Sequence, residues 1–160
     1  MIPRQLPLPL PARPALGRAD YFVSHSNAVA VAQIDDWWHW PQRRCVLIGP
    51  QGSGKTHLAR VWAHATDARM VDAGALDAAD IPALAAGPAC LDDAQRVAGD
   101  PAREAALFHL LNLSAAEGGA VLLTAPAPPR DWGLGLADLA SRLEAAQAAR
   151  LGPPDDGLLS

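Results

Sequence analysis

Between an apolar run ending at Gly49 and the helix-forming stretch THLARVWAHA lie the eight residues GPQGSGKT, Gly49 to Thr56. The spacing matches the phosphate-loop pattern in the context where that pattern has a mechanism, directly after a buried strand and directly before a helix. Glycines at 49, 52 and 54 let successive backbone N–H groups face inward around phosphate oxygens, and the following helix adds the positive end of its dipole. The candidate nucleotide-binding residues are therefore Gly49, Pro50, Gln51, Gly52, Ser53, Gly54, Lys55, Thr56 and His57. Lys55 would reach the β and γ oxygens, and Thr56 would hold Mg²⁺. Lys55 is also the only lysine, every other one of the 13 basic residues being Arg. A compact ammonium on a flexible stem suits a site that a planar guanidinium would overfill.

The rest of the chain reads as strands and helices in turn. Residues 1–19 carry Pro3, Pro7, Pro9, Pro11 and Pro14, which lack an N–H and fix φ, so this is an extended tail. From Asn27, an N-cap residue type, AVAVAQIDDWWHW predicts a helix over about 27–39, stopped by Pro41. CVLIG is a short, continuous apolar run, as a strand buried on both faces requires. There follow a helix over about 55–65, a strand over about 69–73, a weak connective helix across Gly74–Gly87 and a strand over about 88–92. Pro101 opens a helix that runs to Gly118–Gly119, and AVLLTA (120–125) is a strand. A Pro/Gly-punctuated loop, the short helix DLASRLEAA and a possible fifth strand AQAARL complete the pattern. This alternation implies an α/β fold of the P-loop NTPase kind, a parallel sheet flanked by helices on both faces behind the proline-rich tail.

Composition narrows the function classes. A chain of 160 residues, half of them apolar, forms one domain plus a tail rather than a disordered polymer. A net charge of −4 provides no basic stripe, so strong direct DNA binding is not expected. No apolar run reaches a membrane-spanning length and the N-terminus is too proline-rich for a signal peptide, which predicts a cytoplasmic protein with no membrane partner. Cys45 and Cys90 sit inside apolar runs at a separation that matches no zinc pattern, and read as buried free thiols.

A nucleotide site needs a second half, an apolar strand ending in acid, and ACLDD provides one. Asp92 would join the Mg²⁺ shell, and Asp93 would orient or deprotonate a water. Without the phosphate loop, two acids after a strand are an ordinary solvated strand end. Thr124 ends the next apolar run at the carboxyl edge, where a doubly wound sheet presents ligand-contacting groups, and is a candidate γ-phosphate sensor; the alternative is a threonine capping its own strand. Trp37, Trp38, His39 and Trp40 cannot all be buried by one helix, since successive residues lie ~100° apart. A helix end wrapping onto the sheet accounts for them better than a partner-facing patch.

Phosphate loop, Asp-Asp strand, polar strand end and an Arg on a short helix together resemble the AAA+ ATPases, and among them the DnaA group. YFVSHSNAVA (Tyr21–Ala30) resembles the segment that packs on adenine in that group, and LTAPAPPRDWGLGLADLASRL (Leu123–Leu143) resembles its stretch from sensor I to the arginine-finger box. The resemblance covers about residues 20–158 and is greatest to the short, Hda-type regulatory members, which lack a DNA-binding domain. It implies ATP or ADP with Mg²⁺ as ligands, the DnaA initiator as partner, and Arg142 as the finger that completes a neighbouring subunit's ATP site. Without it, Arg142 reads as a surface residue paired with Asp138 four residues earlier. QLPLPL, Gln5 to Leu10, resembles the peptide with which Hda-type proteins dock on the sliding clamp of DNA polymerase III. Pro7 and Pro9 would hold it extended, placing Leu6, Leu8 and Leu10 as apolar anchors and Gln5 at the groove entrance.

The resemblance divides the chain into a clamp-binding tail (1–19), an AAA+ nucleotide-binding domain (20–152) and the start of the helical lid (153–160). With so little of the lid, nucleotide would be held from one side, which implies weaker binding and little autonomous hydrolysis. Two further readings stay open: a clamp or initiator adaptor with a catalytically idle phosphate loop, and a helicase-loader-like ATPase. A homo-oligomer is compatible with all three.

Overall fold

Each run that reads as a buried strand forms one. The computed structural model describes residues 27–152, so the Gln5–Leu10 peptide, the first part of the Tyr21–Ala30 segment and residues 153–160, expected to start a lid, lie outside the described residues. Strands β1 (Arg44–Ile48), β2 (Arg69–Asp72), β3 (Ala89–Asp92), β4 (Val121–Ala125) and β5 (Gln147–Arg150) pair in parallel, in the order β2-β3-β4-β1-β5. β1 and β4 are buried along their whole length because both faces of the sheet are covered.

The connections decide which helix covers which face. From β1 to β2 the chain crosses the sheet in one direction, and from β2 through β3 to β4 it returns, so right-handed crossovers put the intervening helices on opposite sides. Helices α1 (Ala28–Asp35) and α2 (Lys55–Thr66) pack over Cys45, Leu47, Cys90, Leu122 and Ala149. Helices α3 (Ile81–Ala85), α4 (Pro101–Glu117) and α5 (Ala137–Glu144) pack over Val46, Ile48, Leu91, Val121 and Leu123. α4 presents Leu107, Leu110 and Leu111, all fully buried, at helical spacing; each contributes about 1.5–3 kcal/mol. Its start is fixed by Pro101 and by Asp100, whose carboxylate accepts from the N–H groups of Ala102 and Arg103 at 3.1 and 3.2 Å. Register sets Cys45 and Cys90 on either side of Leu122 in one row. Both are buried free thiols, and burial pushes Cys90 up to about 12 and Cys45 further still.

Two expectations need correction. The first helix does not reach residue 39: α1 ends at Asp35, and Trp37–His39 form a separate 3-10 turn. Consecutive acids at 35 and 36 oppose the negative end of the helix dipole, and breaking there lets Trp40 bury against Trp62 of α2 while its indole N–H donates to the Gln33 carbonyl at 2.8 Å. Trp37 packs edge-on to Trp62, while the exposed Trp38 is sandwiched between Trp37 and the Arg43 guanidinium. The stretch Gly74–Gly87 is also more than a connective helix. Its 3-10 turn (Ala73–Ala78) and α3 contribute Ala73, Leu76, Ile81, Leu84 and Ala85 to the core.

Candidate functional site

β1 ends at Ile48, and the Gly49 N–H donates to the Ala125 carbonyl at 3.1 Å, so the following loop hangs from the carboxyl edge of the sheet. A Cβ on Gly49 would lie 2.5 Å from the Ser53 hydroxyl and 3.2 Å from Leu151, so the loop closes this tightly only over glycine. Gly52 and Gly54 take φ of 83° and 93°, turning the backbone into the first turn of α2. The result is a cleft of about 570 Å³ whose lining includes Gln51, Gly52, Gly54, Lys55, Thr56 and His57 from the loop, with Asp93, Gln95 and Pro126 from the strand ends. Gly49, Pro50 and Ser53 shape the loop from behind. Lys55 is only 8% exposed, and its ammonium donates to the Pro50 carbonyl at 3.4 Å. The Ser53 hydroxyl is buried without a hydrogen-bond partner. A glycine-tight loop, an orphaned hydroxyl, a buried ammonium and the N-terminus of a 12-residue helix fit a polyphosphate.

Two hydroxyls hold the acids, one from β4 and one from the phosphate loop. Thr124 is fully buried; its Oγ donates to the Asp92 carboxylate at 2.7 Å and accepts from the Asp93 N–H at 3.0 Å. Thr56 donates to the same Asp92 oxygen at 3.2 Å. Asp93 adopts φ 56°, which turns the chain away from β3 and sets its side chain at the cleft. Rather than capping its own strand, Thr124 orients the Asp92 carboxylate and pins the Asp93 backbone. Among the described residues no group of three or more His, Cys, Asp or Glu could hold a metal alone. Thr56 and Asp92 suit a hard cation that shares phosphate oxygens and water, the usual Mg²⁺ arrangement.

Arg142 lies at the other end of β1. It lines a second cleft, about 510 Å³, with Gln42, Arg44, Asn112 and Ser141, and its guanidinium sits 4.9 Å over the Phe108 ring. It makes no ion pair with Asp138. Arg44 opens β1, is buried and donates to the Leu111 carbonyl at 3.1 Å; burial first, and the Arg142 charge second, pull it below its ordinary value. Four steps of strand, about 13 Å, separate this end from the phosphate loop.

Three functional neighbours escaped the sequence reading. Arg44 adjoins the apolar run at its charged edge. Glu104, in the first turn of α4, looks like a solvated helix residue but is 4% exposed. Its carboxylate accepts from the N–H groups of Gly99, Gly135 and Leu136 at 2.8–3.1 Å, fixing the approach to α5. Burial alone would raise its pKa, but the three donors outweigh burial and hold it below the usual carboxylate range. Gln95 follows the acids on a 3-10 turn (Ala94–Val97), and nothing in its spacing marked it.

No protein-family model matches the sequence. Solved structures do match. A DnaA from Aquifex aeolicus bound to AMPPCP superposes with a TM-score of 0.71 at 18% identity, covering 82% of this chain and 48% of that one. A replication initiator DnaA bound to AMPPCP and single-stranded DNA gives 0.72 at 17%, covering 90% and 52%. The fold is that of the DnaA AAA+ domain. Domain III of the Thermotoga maritima DnaA matches with a TM-score of 0.67 at 20% identity, over 89% of this chain and 69% of that one. The chain thus spans about half the length of the two nucleotide-bound DnaA structures. Among the described residues no helix is long and apolar enough to cross a membrane.

Proposed function

We propose that this protein is an Hda-like regulator of replication initiation, which binds ATP or ADP and promotes hydrolysis of ATP held by a DnaA molecule. The observation that carries the reading is the position of Arg142. Arg142 lines a cleft at the opposite end of β1 from its own phosphate loop, which supports its meeting a nucleotide on another chain. A guanidinium offered in this way neutralises charge on the transferring phosphoryl group and is worth about 10³–10⁵ in rate.

In the chain's own cleft, the loop N–H groups and Lys55 would grip the phosphates, while Thr56 and Asp92 would hold Mg²⁺. A cation held there would neutralise phosphate charge. Thr124 ties Asp92 and Asp93 to β4 through its two hydrogen bonds, and Thr56 ties Asp92 to the loop. The tail residues Gln5, Leu6, Leu8 and Leu10 would dock on the DNA polymerase III β sliding clamp. Support for the initiator as partner comes from the shared fold, which includes structures of DnaA itself with bound nucleotide.

The test mixes ATP-loaded initiator with this chain, with and without clamp on DNA, and follows phosphate release. Arg142→Ala should reduce the stimulated rate about 10³-fold, to the initiator's basal level, and keep clamp binding. Unchanged stimulation would leave an adaptor with an idle phosphate loop. Gln5→Ala with Leu8→Ala should abolish clamp pull-down, and persistent pull-down would refute the tail's role. Co-purification of a helicase would favour the loader reading.

A further inference from the structure

One buried polar atom of the phosphate-loop cleft is left without a task by the residues discussed so far. The Gln95 side chain lines the same cleft as Lys55, Thr56 and Asp93, and its Oε1 is shut off from solvent without a hydrogen-bond partner. A buried amide oxygen in that condition signals a missing donor. The turn that carries it cannot swing out to find one. Ala94 and Val97 on either side are fully buried, the Arg96 N–H donates to the Asp93 carbonyl at 3.0 Å, and the Ala98 N–H donates to the Gln95 carbonyl at 3.1 Å. Arg96 also pairs with Asp72 at 2.9 Å, and its guanidinium occupies the space where a side chain on Gly74 would lie. The backbone of the turn is therefore fixed beside Asp93, with the Gln95 side chain at the wall of a cleft that fits phosphate and its amide oxygen in need of a donor.

We infer that Gln95 positions the attacking water of this chain's own phosphoryl-transfer site, its carboxamide turning about the side-chain bonds so that Oε1 accepts a hydrogen bond from that water. The inference rests on the nucleotide reading above. A carboxamide cannot take a proton at neutral pH, but it fixes the direction of the water's lone pair, as glutamines do in other P-loop enzymes. The water oxygen bonds to the γ-phosphorus, and the bond from that phosphorus to the bridging oxygen breaks with its electron pair leaving on ADP. The proton lost by the water passes to the Asp93 carboxylate and then to solvent, so ADP, inorganic phosphate and a proton are the products. Gln95 thereby aims the nucleophile, and Asp93 collects the proton.

The experiment compares the full chain with Gln95→Met, which keeps the volume and loses both hydrogen-bonding atoms, and with Gln95→Ala. Single-turnover phosphate release with protein in excess over ATP should fall at least tenfold in both. Calorimetry should find ADP affinity within twofold of the parent, whereas affinity for ADP with aluminium fluoride, which mimics the planar phosphoryl with its axial water, should weaken at least tenfold. Phosphate release within twofold of the parent, an unchanged response to aluminium fluoride, or a parent chain that binds ATP yet releases no phosphate would each overturn the inference. Absence of any heat with ADP or ATP in the parent would instead overturn the nucleotide reading, and this inference with it. Stimulation of the initiator through Arg142 should be untouched, which separates this site from that role.

Discussion

The cleft beyond the carboxyl end of β1 mixes its charges, with backbone N–H groups and the Lys55 ammonium on one side and Asp93, with Asp92 behind it, on the other. The cleft at the amino end has two guanidiniums, Arg44 and Arg142, and among the described residues no carboxylate lines it. The first can hold an anion and a cation together and is electrostatically self-sufficient. The second gathers positive charge, with Arg44 held by the Leu111 carbonyl and Arg142 by the Phe108 ring. Two like charges side by side raise each other's energy, and burial of Arg44 adds to that cost.

If the two ends are independent, Lys55→Ala should weaken nucleotide binding about a thousandfold by calorimetry, roughly 4 kcal/mol, while Arg142→Ala leaves it within twofold. Equal losses in both variants would break the comparison. A smaller effect is expected where α5 is anchored. Glu104→Ala should lower stability to urea by about 2–3 kcal/mol, because three backbone donors lose their acceptor. The pH dependence follows from the depressed pKa. The Glu104 contribution is complete above the unfolded value of about 4.3 and is lost as pH falls through the lower folded value. Urea melts from pH 6 down to pH 3 should therefore show a slope that Glu104→Gln lacks. The ring beneath Arg142 should matter less: a double-mutant cycle between Phe108→Leu and Arg142→Ala should return a coupling of about 0.5–1 kcal/mol. Smallest of all, Arg96→Ala should cost under about 1 kcal/mol in overall stability, since its ion pair with Asp72 is half exposed.

The legibility of this molecule followed the range of its interactions. The phosphate loop, the Asp-Asp strand end and all five strands are local signals, and each was readable because its residues are neighbours in sequence. β5 was readable even though its run is short, since AQAARL follows a helix at the spacing the alternation demands. α1 was read too long because propensity alone does not register that Trp40 gains more by leaving the helix to pack on Trp62, a residue 22 positions away. Leu76, Ile81 and Leu84 have no clear period, and their place in the core is set by α4 rather than by their own segment. Glu104 and Arg44 escaped notice for one reason. A charged side chain reads as solvated unless its partners are visible, and theirs are backbone groups between 5 and 67 residues distant.

One detail of the sheet has a mechanical side. β3 and β4 stay paired only as far as Leu91 and Leu123, whereas β1 and β4 continue to Ile48 and Ala125. Beyond that last rung the two strands are laced by the Thr124 hydroxyl alone, so the sheet has a seam that opens toward the cleft. Any tug on Asp92 or Asp93 is transmitted across it by two hydrogen bonds at one oxygen, and Thr124→Val, nearly the same shape without that oxygen, would leave the seam unstitched.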